Sequence, residues 1–151
     1  MACTAGAFVS FTVISSFSRR AIFIGGHFSC AALNFIIAYF AMHKQHDMVL
    51  YGICLEFFLF NASLGSVFWI YLSEIAQSDS VMGLCQFLCM TMLTFESSIS
   101  LKIINGSIGV SGLFMILGAI QFACFTLLST IVKETRGLKA HEKKEIYKNA
   151  P

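Results

Sequence analysis

The sequence predicts an all-α membrane protein with about five transmembrane helices. Of its 151 residues, 57% are hydrophobic and only 12% are charged, whereas a soluble domain carries about 25% charged residues. The mean hydropathy is +0.78, and the single proline is the last residue, Pro151. Long apolar runs that no proline interrupts are typical of helices in lipid.

Short polar segments divide the apolar runs. Because a spanning helix needs about 20 residues, we expect spans at residues of about 2–18, 21–42, 48–73, 81–101 and 108–132. The first boundary is the pair Arg19-Arg20, and the second surrounds Lys44. Residues 1–132 are therefore predicted to form one helical bundle, and residues 133–151 a basic cytoplasmic tail.

The distribution of basic residues predicts the orientation of the bundle, because cytoplasmic loops carry an excess of Lys and Arg. Five spans place the two chain ends on opposite sides. Two of the ten basic residues, Lys44 and Lys102, fall on the side of the N-terminus. The other eight fall on the side of the tail: Arg19, Arg20, Lys133, Arg136, Lys139, Lys143, Lys144 and Lys148. We expect a cytoplasmic C-terminus in an integral, multi-pass protein; the sequence does not say which membrane holds it.

No pattern in the chain predicts catalysis, a metal site or a cofactor. The six cysteines lie in apolar runs, where a thiol behaves as a small hydrophobic group. His43 and His46 lie at the opposite end of the bilayer from Cys85 and Cys89, so these residues do not form a four-ligand set. The basic tail suits anionic lipid, and no nucleic-acid partner is expected.

Three motifs occur in order along the chain. Arg19-Arg20 follows the first span, Trp69 precedes Glu74 by five residues at the end of the third, and the segment 134–137 (ETRG) follows the last. Together they resemble the C-terminal half of sugar porters in the major facilitator superfamily. There a G-R-R triplet, a G-P-x-P-W-x4-E helix end and a P-E-T-K-G motif occupy these places. The resemblance covers nearly the whole chain and implies that the five spans correspond to helices 8 to 12 of that fold.

The resemblance also implies roles for particular residues. A cytoplasmic ion-pair latch would join Glu74 and Glu134 to the arginines at positions 19, 20 and 136. The solute site would include an aromatic platform and three neighbouring residues: Trp69, Asn61, Gly65 and Glu96.

Simpler interpretations of these side chains stay open. Trp69 could be a packing or anchoring residue, and the amide of Asn61 could be satisfied by an interhelical hydrogen bond. Glu96 could accept a hydrogen bond from solute, carry a proton, or pair with Lys102 near the outer interface. Glu56 is expected closer to that interface.

The chain also departs from the family pattern. Ser66 and Phe68 replace the helix-breaking prolines, Val81 replaces an arginine, and Met92 with Leu93 replaces an amide and an aromatic ring. We therefore expect one of two functions. The first is alternating-access transport of a hexose-like solute, passive or proton-coupled, by this chain together with a missing N-terminal half. The second is a degenerate, non-transporting interaction or scaffold protein.

Overall fold

The computed structural model describes residues 2–76, 78–139 and 142–143. Over these residues the chain forms helices and connecting segments without a strand, which confirms the predicted all-α class. The elements are α1 (Ala2–Ser16), α2 (Arg19–Met42), α3 (His46–Phe60), a π-helical turn (Asn61–Gly65), α4 (Ser66–Ile75), α5 (Asp79–Asn105) and α6 (Gly109–Ile131). The tail lysines Lys144 and Lys148 lie outside the described residues.

Several of these helices are long and apolar enough to cross a membrane. Within the described residues they are α2, the continuous rod His46–Ile75, α5 and α6, which contain 24, 30, 27 and 23 residues. Helix α1 is also apolar, but its 15 residues are fewer than the roughly 20 that a straight crossing needs. The chain is therefore a multi-pass integral membrane protein.

Polar side chains define where two of the helices begin. The Ser18 hydroxyl accepts a hydrogen bond from Ala21 N at 3.2 Å, and the Ser78 hydroxyl accepts one from Val81 N at 3.4 Å. Each serine thus satisfies one of the backbone N–H groups that a helix leaves free in its first turn. Because Phe17 and Ser18 alone separate α1 from α2, the two helices meet at a tight corner.

Helix α2 forms the centre of the bundle and packs most extensively against α6 and α3. Its buried side chains include Ile22, Phe23 and Cys30, which pack with residues of the π-helical turn and α4. A Cβ added at Gly26 would lie 2.7 Å from Ser63 Oγ, and one at Gly118 would lie 3.0 Å from the Phe35 ring. Glycine at these positions leaves room for the side chains of the neighbouring segments, and small residues of this kind favour close helix packing in lipid.

Helices α3 and α5 bury none of their side chains. Helix α5 packs mainly on α6 and exposes large apolar groups along its length, among them Leu84, Phe87 and Met92. An exposed apolar surface of this kind suits lipid or a second membrane-spanning unit.

Candidate functional site

The ends of α1, α2, α4 and α6 meet at one end of the bundle. We call the polar residues that join them the helix-end cluster; its members are Ser18, Arg19, Arg20, Tyr71, Glu74, Glu134, Thr135, Arg136 and Lys143. The cluster contains all five residues that the sequence resemblance assigns to an ion-pair latch.

The Glu74 carboxylate is the centre of the cluster. Its Oε2 forms an ion pair with Arg19 Nη1 and accepts a hydrogen bond from Thr135 Oγ1 at 2.8 Å. Its Oε1 pairs with Lys143 Nζ at 2.7 Å. The side chain of Glu74 is 15% exposed and that of Arg19 is 19% exposed, so water only partly screens these charges. One carboxylate therefore connects α4, the start of α2 and the segment that follows α6.

The resemblance predicts that Glu134 pairs with guanidinium groups. In the structure its carboxylate accepts hydrogen bonds from backbone N–H groups. Arg19 N donates to Oε1 at 3.3 Å and Arg20 N donates to Oε2 at 3.1 Å. Arg136 N adds a third bond at 2.9 Å. The carboxylate thus satisfies the free N–H groups in the first turn of α2, where the helix dipole also favours a negative charge.

These contacts set the charge state of Glu134, which lies beyond the end of α6. Partial burial alone would raise the pKa of its carboxyl. The hydrogen bonds from the backbone of Arg136 and Arg20, from the Ser18 side chain and from the backbone of Arg19 outweigh burial, and the pKa is lowered. Glu134 is therefore ionised at neutral pH.

The Arg20 and Arg136 guanidinium groups bind helix carbonyl groups. Arg20 Nη2 donates to Ser129 O of α6 at 2.8 Å. Arg136 donates to Ser15 O at 2.9 Å and to Ser16 O at 3.2 Å, both in the last turn of α1. The last carbonyls of a helix have no partner within it, and a cation there also complements the helix dipole. Arg20 thus joins the start of α2 to the end of α6, and Arg136 joins the segment after α6 to the end of α1.

Two further side chains fix the segment that follows α6. Tyr71 Oη donates to Lys133 O at 3.0 Å, and Thr135 is fully buried beneath Glu74 and Arg19. Gly137 then adopts a φ of +84°, a conformation that glycine adopts without the steric cost of a Cβ. Neither Tyr71 nor Lys143 was assigned to the latch from the sequence; the position of Tyr71 one turn before Glu74 is the signal that could have identified it.

The predicted solute residues Asn61 and Gly65 bound the π-helical turn. Asn61 Nδ2 donates to Phe57 O of its own helix at 2.8 Å, so its amide is not used in an interhelical bond. Ser66 Oγ donates to Asn61 O at 3.4 Å, across the widened turn. Single π-helical turns often occur at functional sites and helix hinges. The irregular backbone thus ends directly before Ser66 and Phe68, the positions at which the family pattern has prolines.

Trp69 lies one turn after this irregular segment and is half-buried. Its ring packs edge-on against Phe68, with the ring centroids 5.0 Å apart. Two cavities border the region. One, of about 390 Å³, lies between α1, α2 and the rod and includes Ser63; the other, of about 190 Å³, lies between α1 and α4 and includes Ser66. Trp69 lines neither cavity.

Glu96 lies elsewhere in the bundle. Its exposed side chain lines a groove of about 410 Å³ between α5 and α6, together with Gln121. No ion pair joins it to Lys102 in the part of the chain that the structure describes. The structure therefore brings the predicted latch residues together and places Asn61, Gly65 and Trp69 on one rod, but it does not bring Glu96 to them.

Comparison with known proteins places the chain in a family. The profile of the family described as "Sugar (and other) transporter" matches residues 2–147, which include α1 to α6 and the helix-end cluster. Searches of curated proteins and of solved structures found no significant match. Because the profile covers nearly the whole chain, this protein belongs to the sugar transporter family of the major facilitator superfamily.

Proposed function

We propose that this chain is the C-terminal half of a carrier that moves a hexose-like solute by alternating access, together with an N-terminal half. The observation that carries the proposal is the helix-end cluster, in which Glu74 and Glu134 join α4, the start of α2 and the segment that follows α6. Alternating access needs two halves that rock around a central site, and it therefore needs contacts at one membrane face that can break and re-form. The cluster consists entirely of such contacts.

The cluster suits a reversible latch because its strength is intermediate. An exposed ion pair contributes about 0–1 kcal/mol, and breaking a fully buried one costs about 3–5 kcal/mol. Arg19, Glu74 and Lys143 are 15–19% exposed, between these two limits. Loss of the Arg19–Glu74 pair would remove a polar contact between α4 and α2, and the π-helical turn would allow α4 to move relative to α3.

The solute is proposed to bind beside the rod at Trp69. An indole ring offers an apolar face to the C–H surface of a sugar. Asn61 and Gly65 lie on the same rod, two turns and one turn before Trp69. Glu96 would complete the site only after α5 and α6 move or an N-terminal half closes on the bundle. The helix-end cluster is proposed to face the cytoplasm, in accordance with the excess of basic residues there.

Uptake of a labelled hexose into lipid vesicles tests this function. The vesicles would contain this chain co-expressed with the N-terminal half, and transport should depend on both halves. We expect Trp69→Ala to weaken apparent affinity about tenfold or more, which corresponds to the roughly 1.4 kcal/mol of a modest aromatic contact. Trp69→Phe, which keeps a ring, should retain most of the uptake.

Variants of the helix-end cluster separate the latch from the solute site. Glu74→Gln should change the rate of uptake more than the affinity, whereas Asp79→Asn, an exposed carboxylate outside the cluster, should change neither. Correctly inserted protein without uptake of any hexose would instead support the scaffold function. Unchanged affinity in Trp69→Ala would exclude the aromatic platform.

A further inference from the structure

A polar contact joins α2 to α3 inside the apolar bundle. Asn34 is 1% exposed, and its Nδ2 donates to Cys30 O at 2.9 Å and to Glu56 Oε1 at 2.6 Å. Glu56 lies ten residues after His46, the first residue of α3, which is about 15 Å along the helix. A carboxyl group at this depth is expected to have a partner or a ligand.

The hydrogen bonds of the pair are incomplete when Glu56 is ionised. Among the described residues, Asn34 Oδ1 is buried without a hydrogen-bond partner, and an unsatisfied buried acceptor is destabilising. An ionised carboxylate can only accept hydrogen bonds, so it cannot satisfy Oδ1. A protonated carboxyl has one O–H donor. With Asn34 Nδ2 already bound to Oε1, a proton on Oε2 would let Glu56 donate to Oδ1 and close an acid–amide pair.

The ionisable groups around Glu56 also favour a bound proton. On α2 they are Cys30, a buried thiol, and His27, which is hydrogen-bonded to Gln121 of α6 at 2.6 Å. Helix α5 contributes another acidic side chain, Glu96, and not a basic one at this position. Residues 4–16 of α1 and the π-helical turn contain no ionisable side chain. Helix α3 itself adds the exposed Cys54 and Tyr51, and His46 and Asp47 lie exposed in its first turn.

This environment offers an ionised Glu56 no positive partner among the described residues that pack against it. An unpaired charge within a membrane-spanning helix is strongly unfavourable. The hydrogen bond from a neutral amide does not neutralise the charge.

We propose that Glu56 is a proton-binding site within the membrane and that its proton is shared with Asn34 Oδ1, so that the acid–amide pair bridges α2 and α3. Release of the proton to water leaves a carboxylate that keeps only the bond from Asn34 Nδ2, and the contact between α2 and α3 weakens. The site goes beyond the proposed transport of a solute and does not depend on it.

Infrared difference spectroscopy of the full chain in phosphatidylcholine vesicles tests the proposal. At neutral pH we expect the C=O stretching band of a protonated carboxylic acid, which should disappear as the pH is raised and shift in D₂O. Glu56→Gln should remove the band while keeping an amide that can still pair with Asn34. The matched variant Glu96→Gln should retain it.

Substitution of the partner gives a second readout. Asn34→Leu removes the donor to Oε1, so the band should move to higher frequency. The proposal is overturned if the wild-type chain lacks the band at neutral pH. It is equally overturned if the band survives in Glu56→Gln and is lost in Glu96→Gln. None of these measurements requires hexose uptake, so failure of the transport assay would leave the result of this test intact.

Discussion

Replacing Glu74 with glutamine tests the helix-end cluster directly. The substitution keeps the shape of the side chain and removes its charge. Oε1 receives Lys143 Nζ, while Oε2 receives Arg19 Nη1 and Thr135 Oγ1. A glutamine must place its NH₂ group at one of these two positions, where it would face groups that are themselves donors. The variant therefore loses two ion pairs and gains a donor–donor conflict.

The expected cost follows from the burial of the charges. Hydrogen bonds to charged groups contribute about 1.5–3 kcal/mol each when shielded, whereas exposed pairs contribute about 0–1 kcal/mol. With Glu74 at 15% exposure and Lys143 at 18%, we expect Glu74→Gln to destabilise the chain by about 2–3 kcal/mol. For a chain of this size the melting temperature should fall by roughly 5–10 °C.

Thermal unfolding in mild detergent measures this change, with Asp79→Asn as the control for loss of one exposed carboxylate. A double-mutant cycle with Arg19→Gln isolates the pair, and we expect a coupling of about 1–2 kcal/mol. The loss should shrink in high salt, because the pair is partly accessible to ions. If Glu74→Gln had the same melting temperature as Asp79→Asn, or if the coupling free energy with Arg19→Gln were zero, the proposed stabilising role of the Glu74 contacts would be refuted.

Two further predictions concern the Glu134 carboxylate and the packing of α2 at Gly26. The pKa of Glu134 is lowered in the folded chain, so its contribution to stability is fully present above the ordinary carboxyl pKa and is lost as the pH falls through the folded-state pKa. The difference in melting temperature between wild type and Glu134→Gln should therefore vanish in acid; a difference independent of pH would contradict the carboxylate cap. Separately, Gly26→Ala places a Cβ 2.7 Å from Ser63 Oγ and should cost about 1–3 kcal/mol. Gly25→Ala, with nothing within 4 Å, should be neutral or stabilising in the same melting assay.

The all-α membrane class could be predicted because it depends on composition and on the length of apolar runs, both of which are local properties. The π-helical turn was not predictable in this way. The sequence between Asn61 and Gly65 contains no proline that would mark an irregular turn. The rod approaches α1 closely beside the turn, where a Cβ built on Gly6 would lie 2.6 Å from Phe58 O.

Five members of the helix-end cluster could be named from motifs, but their partners could not. Charge alone suggests that Glu134 should bind a guanidinium group. The first turn of α2 instead offers it free N–H groups. The guanidinium groups of Arg20 and Arg136 bind carbonyls at the ends of α6 and α1. A sequence shows which residues are charged, but it does not show which backbone groups a helix end leaves unsatisfied. The pairing of Asn34 with Glu56 could not be predicted either, because it joins side chains on different helices.

The most direct test of the central claim is the side of the membrane on which the cluster lies. Single cysteines would replace Arg20 and Lys143 in a background depleted of native cysteines, and a membrane-impermeant thiol reagent would be added to sealed, oriented vesicles. We predict that both positions are labelled from the same side, the cytoplasmic one. Labelling of the two positions from opposite sides would contradict a cluster that joins α2, α4 and the segment after α6 at one membrane face.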